Sequence, residues 1–258
     1  MPSAAASPVI EFRDVSYRVA GTQVLCDFKL QVESGEILVL LGRSGSGKTT
    51  TLKLVNRLLS PTSGEVRVKG IPNSAADVIP LRRSIGYVIQ DGGLFPHFTV
   101  ARNIGLVPKI EGWPPDRIRA RVDELLQLTG LTPEIGSRYP HQLSGGQRQR
   151  VGVARALAAE PEILLMDEPF GALDPLTRDE LQREFLALQS RLSKTVLFVT
   201  HDLHEAMRLG SRIGLMEAGR LVTMLTPDQF FRSSDPWAAA YVKAFGDRLE
   251  PNSTKGKS

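Results

Sequence analysis

The feature that most constrains the fold of this chain is a glycine-rich segment, GRSGSGKT, at Gly42–Thr49. It fits the spacing G-x-x-x-x-G-K-[ST] and follows the apolar run Ile37–Leu41. It opens a segment from Lys48 that is predicted to be helical until Pro61 ends it. A short, fully apolar run is typical of a buried parallel strand. The pattern therefore predicts an α/β fold in which this loop joins a strand to a helix and curls its backbone amides around an anion.

The polar side chains of this loop suit the phosphates of a nucleotide. Lys48 supplies a point charge for the β- and γ-phosphates, which gives it a catalytic role, and Thr49 offers a hydroxyl group to Mg²⁺. The alternative, an ordinary glycine turn, is disfavoured by the strand before the motif and the helix after it. The candidate nucleotide-binding residues of this loop are Gly42, Arg43, Ser44, Gly45, Ser46, Gly47, Lys48, Thr49 and Thr50.

A second candidate strand ends in two acidic residues. The segment Glu162–Pro169 reads EILLMDEP, which delivers Asp167 and Glu168 to the carboxyl end of a strand, where ligands bind in open α/β sheets. Two neighbouring buried carboxylates are costly without a cation. We therefore expect Asp167 to hold Mg²⁺ through water and Glu168 to act as the general base on the attacking water.

His201 follows the apolar segment TVLFVT at Thr195–Thr200. A lone histidine is often only a hydrogen-bonded polar residue of no special function. Here the preceding strand is predicted to run parallel to the strand that carries Asp167, so His201 is placed to reach the γ-phosphate.

A second glycine motif, LSGGQ, begins a polar helix about a hundred residues after the first. Ser144, Gly145 and Gly146 are expected to form another anion site, with Gln147 completing the motif. The intervening helical region separates this motif from the first loop of the same chain. A two-fold dimer resolves the difficulty, because each subunit can close its LSGGQ segment over the nucleotide held by the other.

The chain reads as one α/β domain with a helical insertion. Residues 1–8 and 250–258 are predicted to be disordered from their composition, and residues 9–249 to form the domain. Strand patterns occur on both sides of a mainly helical region at about 91–159, in which Arg117–Leu128 is amphipathic. The last two strand patterns, Ile213–Glu217 and Leu221–Met224, are predicted to form a hairpin around Gly219.

Composition narrows the classes of function. The 258 residues carry a formal net charge of +4, but arginines alternate with acidic residues, which favours solvated helix faces over a nucleic-acid patch. One cysteine excludes an intramolecular disulfide and fits a reducing cytosol. No apolar run approaches the ~18 residues of a membrane span. The first residues also lack the pattern of a signal peptide, so any membrane role depends on another chain.

The motifs together carry a resemblance. The order along the chain, which is GRSGSGKT, LSGGQ, ILLMDEP, GALD at Gly171–Asp174 and then His201, resembles that of the ATP-binding subunits of ABC transporters. This resemblance implies a P-loop NTPase of ABC type, with a RecA-like parallel-sheet core, an antiparallel β subdomain and an inserted helical subdomain. Arg43 departs from the proline that is common there, and we expect little consequence because the anion nest does not need that side chain.

The resemblance also assigns residues that the spacing alone does not identify. Tyr17 is expected to stack on adenine, which suits an aromatic side chain. Gln90 is expected to reach Mg²⁺ and the attacking water, and Asp174 to touch the opposite subunit. Leu94 and Phe95 follow Gln90 and suit a docking groove for a helix of the membrane-spanning permease, with local packing as the alternative.

A finer resemblance is to importers of osmoprotectants such as glycine betaine and choline. It rests on the segments Leu52–Val66, Ile85–Pro108, Arg138–Pro161 and Met166–Phe185. The resemblance implies a peripheral subunit on the cytoplasmic face of the cell membrane, served indirectly by a substrate-binding protein. The sequence ends before the regulatory CBS-type domains of many such subunits, so sensing of ionic strength by that route is not expected.

Other classes of ABC protein stay open at this point. They are a subunit of another importer or an exporter, an ATPase acting on DNA or the ribosome, and a nucleotide-binding module without turnover. The chain lacks the coiled-coil inserts, zinc modules or second cassette that usually mark the nucleic-acid class, and Glu168 and His201 argue against a module without turnover. The sequence gives no direct information on the cargo.

Overall fold

The computed structural model describes residues 8–90 and 92–245. Both segments that we expected to be disordered, residues 1–8 and 250–258, lie outside the described residues except for Pro8. No helix in the described part of the chain combines the length and apolar character needed to cross a bilayer.

Strands of two sheets form the framework of the fold. The strands are β1 (Ile10–Val19), β2 (Thr22–Val32), β3 (Ile37–Gly42), β4 (Ser63–Val68), β5 (Ile71–Pro72), β6 (Ile85–Val88), β7 (Ile163–Asp167), β8 (Thr195–Thr200), β9 (Arg212–Glu217) and β10 (Arg220–Leu225). The larger sheet has the order β10-β9-β3-β8-β7-β6, and the smaller sheet has the order β2-β1-β4-β5.

The larger sheet is parallel apart from one hairpin. Strands β3, β7 and β8 are buried along their whole length because apolar side chains cover both faces. β9 and β10 pair antiparallel, which confirms the predicted hairpin around Gly219. β7 and β8 pair parallel, with Asp167 opposite Val199. The residues that follow both strands therefore meet at one edge of the sheet.

Helices cover the faces of the larger sheet. They are α1 (Lys48–Val55), α2 (Val78–Arg83), α3 (Val100–Ile104), α4 (Leu106–Ile110), α5 (Pro115–Leu128), α6 (Gly145–Leu157), α7 (Pro175–Leu192), α8 (Leu203–Leu209), α9 (Pro227–Phe231) and α10 (Pro236–Phe245). Helices α3 to α6 follow one another without an intervening strand, as predicted for the inserted region. The amphipathic α5 buries Val122, Leu125 and Leu126 on one face.

Two apolar cores lie on opposite faces of the larger sheet. One is formed by alternate residues of β3, such as Val39 and Leu41, with the helical region, α7 and α8. The other is formed by Leu38 and Leu40 with α1 and the antiparallel sheet. Because successive side chains of a strand point to opposite faces, the single strand β3 joins both cores.

Two elements differ from the sequence-based prediction. The helix predicted to run from Lys48 nearly to Pro61 ends at Val55, because Arg57 adopts φ 54°, which is incompatible with a continuing helix. The strand β2 was not predicted, because its alternation of apolar and polar residues is interrupted at Asp27, which has φ 45°.

Candidate functional site

The glycine-rich loop lies at the carboxyl end of β3 and leads directly into α1, as the sequence predicts. Gly47 caps this helix with φ 101° and ψ 1°, a left-handed conformation that favours glycine. A Cβ atom on Gly47 would lie 2.6 Å from Cδ2 of Leu25, so a larger residue does not fit there. The loop backbone is thus held at the start of α1, where the helix dipole favours an anion.

The side chain of Lys48 is buried and folds back across this loop. Its Nζ atom donates hydrogen bonds to the carbonyl oxygens of Gly42, at 2.8 Å, and Arg43, at 2.9 Å. Because an ammonium group has three donors, one is left for a phosphate oxygen. Burial lowers the pKa of Lys48, and the charges of Glu168 and Asp167 act in the opposite direction.

Asp167 connects the loop to the end of β7. Oγ1 of Thr49 donates a hydrogen bond to its Oδ1 atom at 2.9 Å, and the hydroxyl of Tyr87 on β6 lies 3.4 Å from its Oδ2 atom. Burial raises the pKa of Asp167, assisted by the charge of Glu168, while the two hydrogen bonds oppose the rise. Burial also raises the pKa of Tyr87, so its phenol stays protonated and can donate. Tyr87 was not predicted; its only signal is a hydroxyl group in an otherwise apolar strand.

Thr49 and Asp167 offer hard oxygen atoms of the kind that Mg²⁺ prefers. Within residues 8–90 and 92–245, no cluster of three His, Cys, Asp or Glu side chains could hold a metal. Magnesium is usually bound by one or two protein groups together with substrate phosphates and water. The residues present therefore suit a magnesium ion that arrives with a nucleotide.

Glu168 and His201 form a contact at the edge of the larger sheet. The Nδ1 atom of His201 lies 3.2 Å from Oε2 of Glu168, and their side chains are 59% and 25% exposed. Glu168 adopts φ 45°, which costs a residue other than glycine about 1–3 kcal/mol. Its amide donates to the carbonyl of Val199 on β8 at 3.0 Å. A carboxylate held in this way can reach water beside the phosphate loop.

A buried acid supports the turn that carries His201. Oγ1 of Thr200 donates to Oε2 of Glu205 at 2.6 Å and accepts a hydrogen bond from the amide of Asp202 at 3.0 Å. Nε2 of Gln182 on α7 donates to Oε1 of Glu205 at 3.3 Å. Burial raises the pKa of Glu205, which is 2% exposed. Sequence reasoning missed Glu205, because its partners lie on separate elements.

The predicted docking residues follow β6. Gln90 is exposed two residues after this strand, Leu94 is half-buried against the core, and Phe95 is 42% exposed. A groove of about 400 Å³ opens beside Phe95. Its lining includes Arg82, Arg83, Ile85, Ile89, Leu106 and Val107. Both apolar and basic side chains thus line this groove.

The second glycine motif forms the start of α6. Ser144 caps the helix: its Oγ accepts from the amide of Gln147 at 3.2 Å, while Oε1 of Gln147 accepts from the amide of Ser144 at 3.0 Å. The amides of Gly145 and Gly146 lie in the first turn, where helices offer no internal acceptor. No hydrogen bond or ion pair of the described residues joins this motif to the phosphate loop.

The remaining predicted residues differ in how exposed they are. Asp174 is exposed and caps α7, where its Oδ1 accepts from the amide of Thr177 at 3.1 Å, and this contact lowers the pKa of Asp174. Tyr17 is half-buried on β1 opposite Leu25, whose side chain a Cβ atom on Gly47 would meet. The side chains of Arg43 and Ser44 are exposed, those of Thr49 and Thr50 are half-buried, and Ser46 is buried.

Comparison with known proteins finds related sequences and a shared fold. The family model described as ABC transporter matches residues 25–171. The chain is 52% identical over 213 residues to the glycine betaine/carnitine/choline transport ATP-binding protein OpuCA of Bacillus subtilis (strain 168), over 83% of this chain and 56% of that protein. It therefore spans little more than half the length of that relative.

A second relative is covered more fully. The chain is 51% identical over 219 residues to the glycine betaine uptake system ATP-binding protein YehX of Escherichia coli (strain K12), over 85% of this chain and 71% of that protein.

A solved structure shares the fold. The ATP-binding cassette MJ0796, solved as a dimer in a post-hydrolysis state bound to ADP and Pi, matches with a TM-score of 0.76 and 33% identity, over 84% of this chain and 98% of that chain. The predicted fold class is thereby confirmed.

Proposed function

This chain belongs to the ABC transporter family, and we propose that it is the ATP-hydrolysing, nucleotide-binding subunit of an importer for osmoprotectants such as glycine betaine or choline. One observation carries the ATPase proposal: the phosphate loop, Asp167 and the Glu168–His201 contact lie together at the carboxyl edge of one sheet. Ligands of open α/β sheets bind at this edge.

The proposed reaction is in-line attack of water on the γ-phosphate, in which the bond from the γ-phosphorus to the β–γ bridging oxygen breaks and ADP leaves. Glu168 accepts a proton from that water, and His201 holds the Glu168 carboxylate in place and faces the γ-phosphate. Lys48 uses its third donor on the phosphates, and Thr49 and Asp167 hold Mg²⁺, which supplies positive charge to the phosphate oxygens when bound.

We propose four further contacts with the nucleotide site. Tyr17 stacks on adenine, and the loop residues Gly42 to Thr50 surround the phosphates through their backbone amides. Gln90 orients the attacking water beside Mg²⁺. Asp174 contacts the opposite subunit near the shared site.

We propose that two copies of the chain share each ATP molecule. The exposed start of α6, at Ser144, Gly145 and Gly146, would contact the γ-phosphate held by the partner's loop, with Gln147 fixing the helix cap. The dimer of MJ0796 supports this proposal. ATP binding would then hold the two subunits together, and hydrolysis would release them.

The membrane partner is proposed to dock beside Gln90. The groove next to Phe95, with Leu94 behind it, suits an amphipathic helix of a permease. The subunit would then lie peripherally on the cytoplasmic face of the membrane, and a substrate-binding protein would deliver cargo to the permease from the other side. Nucleic acid is not a proposed partner.

The cargo proposal rests on the relatives. OpuCA is named for glycine betaine, carnitine and choline, and YehX for glycine betaine. No residue of this chain is expected to touch the cargo, so a transport measurement is needed.

The decisive experiment uses the chain reconstituted in vesicles with its permease and binding protein. ATP-dependent uptake of labelled glycine betaine, choline and proline is measured, with a Glu168→Gln chain as the matched control. The proposal predicts saturable uptake of a quaternary amine by the parent and uptake at least about a hundredfold slower by the control. ATP hydrolysis without uptake of any of these compounds would overturn the proposal that osmoprotectants are the cargo. Absence of ATP hydrolysis would overturn the proposal that the chain is a transport ATPase.

A further inference from the structure

Helix α6 makes a second contact three turns after the glycine motif at its start. Nη1 of Arg155 donates a hydrogen bond to the carbonyl oxygen of Gly93 at 2.8 Å, and Nη2 donates to that of Gly92 at 3.0 Å. One guanidinium group thus donates hydrogen bonds to two successive carbonyl oxygens, which belong to the second and third residues after Gln90. With a rise of 1.5 Å per residue, Arg155 lies roughly 16 Å along the helix from Ser144.

The backbones of α6 and this segment are also in direct contact. A Cβ atom on Gly152 would lie 3.2 Å from Cα of Gly92, and a Cβ atom on Gly92 would lie 3.0 Å from the carbonyl oxygen of Arg148. Gly92 also has φ 72°, which favours glycine. The two glycines therefore let the backbone at Gly92 lie against α6 without an intervening side chain.

The charge of Arg155 strengthens this contact. Burial lowers the pKa of Arg155, and no carboxylate of the described residues forms an ion pair with it. A partly desolvated guanidinium makes short, strong hydrogen bonds to carbonyl oxygens, and its planar fork matches two neighbouring acceptors better than an ammonium group does. Removing Arg155 would leave both carbonyls without this donor.

The two ends of α6 belong to different nucleotide sites in the proposed dimer. Its start faces the partner's ATP. Near its other end, Arg155 contacts Gly92, which lies two residues after Gln90. Gln90 is proposed to orient the water that attacks the ATP bound by its own chain. We propose that Arg155 is a positioning residue that couples the two sites, so that closure of α6 over one nucleotide places Gln90 at the other. This inference rests on the proposed function.

The test separates coupling from simple stability. In an otherwise wild-type chain, Arg155→Gln is expected to lower kcat for ATP hydrolysis by about ten- to a hundredfold, the range expected for a misplaced group, with little change in KM. Arg155→Lys keeps the charge but not the fork, and a partial recovery of kcat is expected. Arg121 provides the control, because it donates to the carbonyls of Leu157 and Ala158 at the far end of α6 and not to residues 92–93.

Hydrogen exchange in a Glu168→Gln background reports the coupling directly. Mg-ATP is expected to protect amides of residues 92–98 in the parent dimer, and this protection should be lost with Arg155→Gln while the dimer persists. Arg121→Gln should lower the melting temperature and leave the protection intact. Gly152→Ala places a methyl group against Gly92 and should also abolish the protection of residues 92–98. This variant replaces Arg155→Gln in the test if Arg155→Gln does not fold.

Two results would overturn the coupling: unchanged protection with Arg155→Gln or Gly152→Ala, or an equal loss with Arg121→Gln. Failure of the parent to dimerise with Mg-ATP would instead contradict the proposed function, so the two failures are distinguishable.

Discussion

The Nδ1 atom of His201 lies 3.2 Å from Oε2 of Glu168, and the two residues directly follow neighbouring parallel strands. Glu168 is fixed from a second side by its amide contact with Val199. A carboxylate held by an imidazole and by the backbone, yet open to solvent, is placed to take a proton from water.

Replacing Glu168 tests its role as the base. Glu168→Gln keeps the shape but cannot accept the proton, so phosphate release should fall by about 10²–10⁴-fold. Glu162→Gln, at an exposed acid just before β7, should retain the parent rate. ATP hydrolysis by Glu168→Gln at the parent rate would show that Glu168 is not the general base.

Lys48→Ala should weaken nucleotide binding. The change removes the buried ammonium group and leaves the carbonyls of Gly42 and Arg43 without their donor. We expect Kd for ATP to rise at least about tenfold, or 1.4 kcal/mol, in a calorimetric titration. Lys109→Ala, at an exposed lysine of α4, is the control. An unchanged Kd for Lys48→Ala would contradict the phosphate-loop assignment.

Thr49 should make ATP binding sensitive to magnesium. Thr49→Val removes the hydroxyl that contacts Asp167, whereas Thr49→Ser keeps it. The ratio of ATP Kd values without and with Mg²⁺ should approach one in the valine variant and stay near the parent value in the serine variant. Equal ratios in all three proteins would show that Thr49 does not bind the metal.

Glu205 should leave a pH signature in stability. Because burial raises the pKa of Glu205 in the folded chain, its protonated form stabilises the fold most below the pKa of an unfolded glutamate. That contribution declines as pH rises through the folded pKa. The destabilisation caused by Glu205→Gln should therefore shrink between pH 4 and pH 8, as measured by urea unfolding.

The variant Glu111→Gln, at an exposed position, is measured alongside as the surface control. A destabilisation by Glu205→Gln that grows with pH would contradict a raised pKa of Glu205 in the folded chain.

The sequence predicted the parts of the site that are local. An apolar run followed by GRSGSGKT or by Asp167 and Glu168 specifies a strand and the ligands at its end, and the structure places both at one edge. The start of α6 at Ser144 was likewise predictable, since the capping residues lie three apart.

Contacts between distant segments were not predictable from one sequence. Arg155 lies 63 positions from Gly92, and nothing near either residue indicates the partner of the other. The acid Glu205 similarly meets Gln182 from another helix. In β2, the alternation from Phe28 to Val32 indicates a strand, but the left-handed Asp27 interrupts the pattern.

The central claim is that each ATP is bound by two chains, and the mass of the ATP-bound protein tests it most directly. Light scattering during size exclusion should show Glu168→Gln as a dimer with Mg-ATP and a monomer without nucleotide. Adding Ser144→Arg should restore the monomer with ATP still bound, whereas Ser144→Ala, which loses only a cap worth about 1 kcal/mol, should still dimerise. A Glu168→Gln chain that stays monomeric while saturated with Mg-ATP would contradict the account.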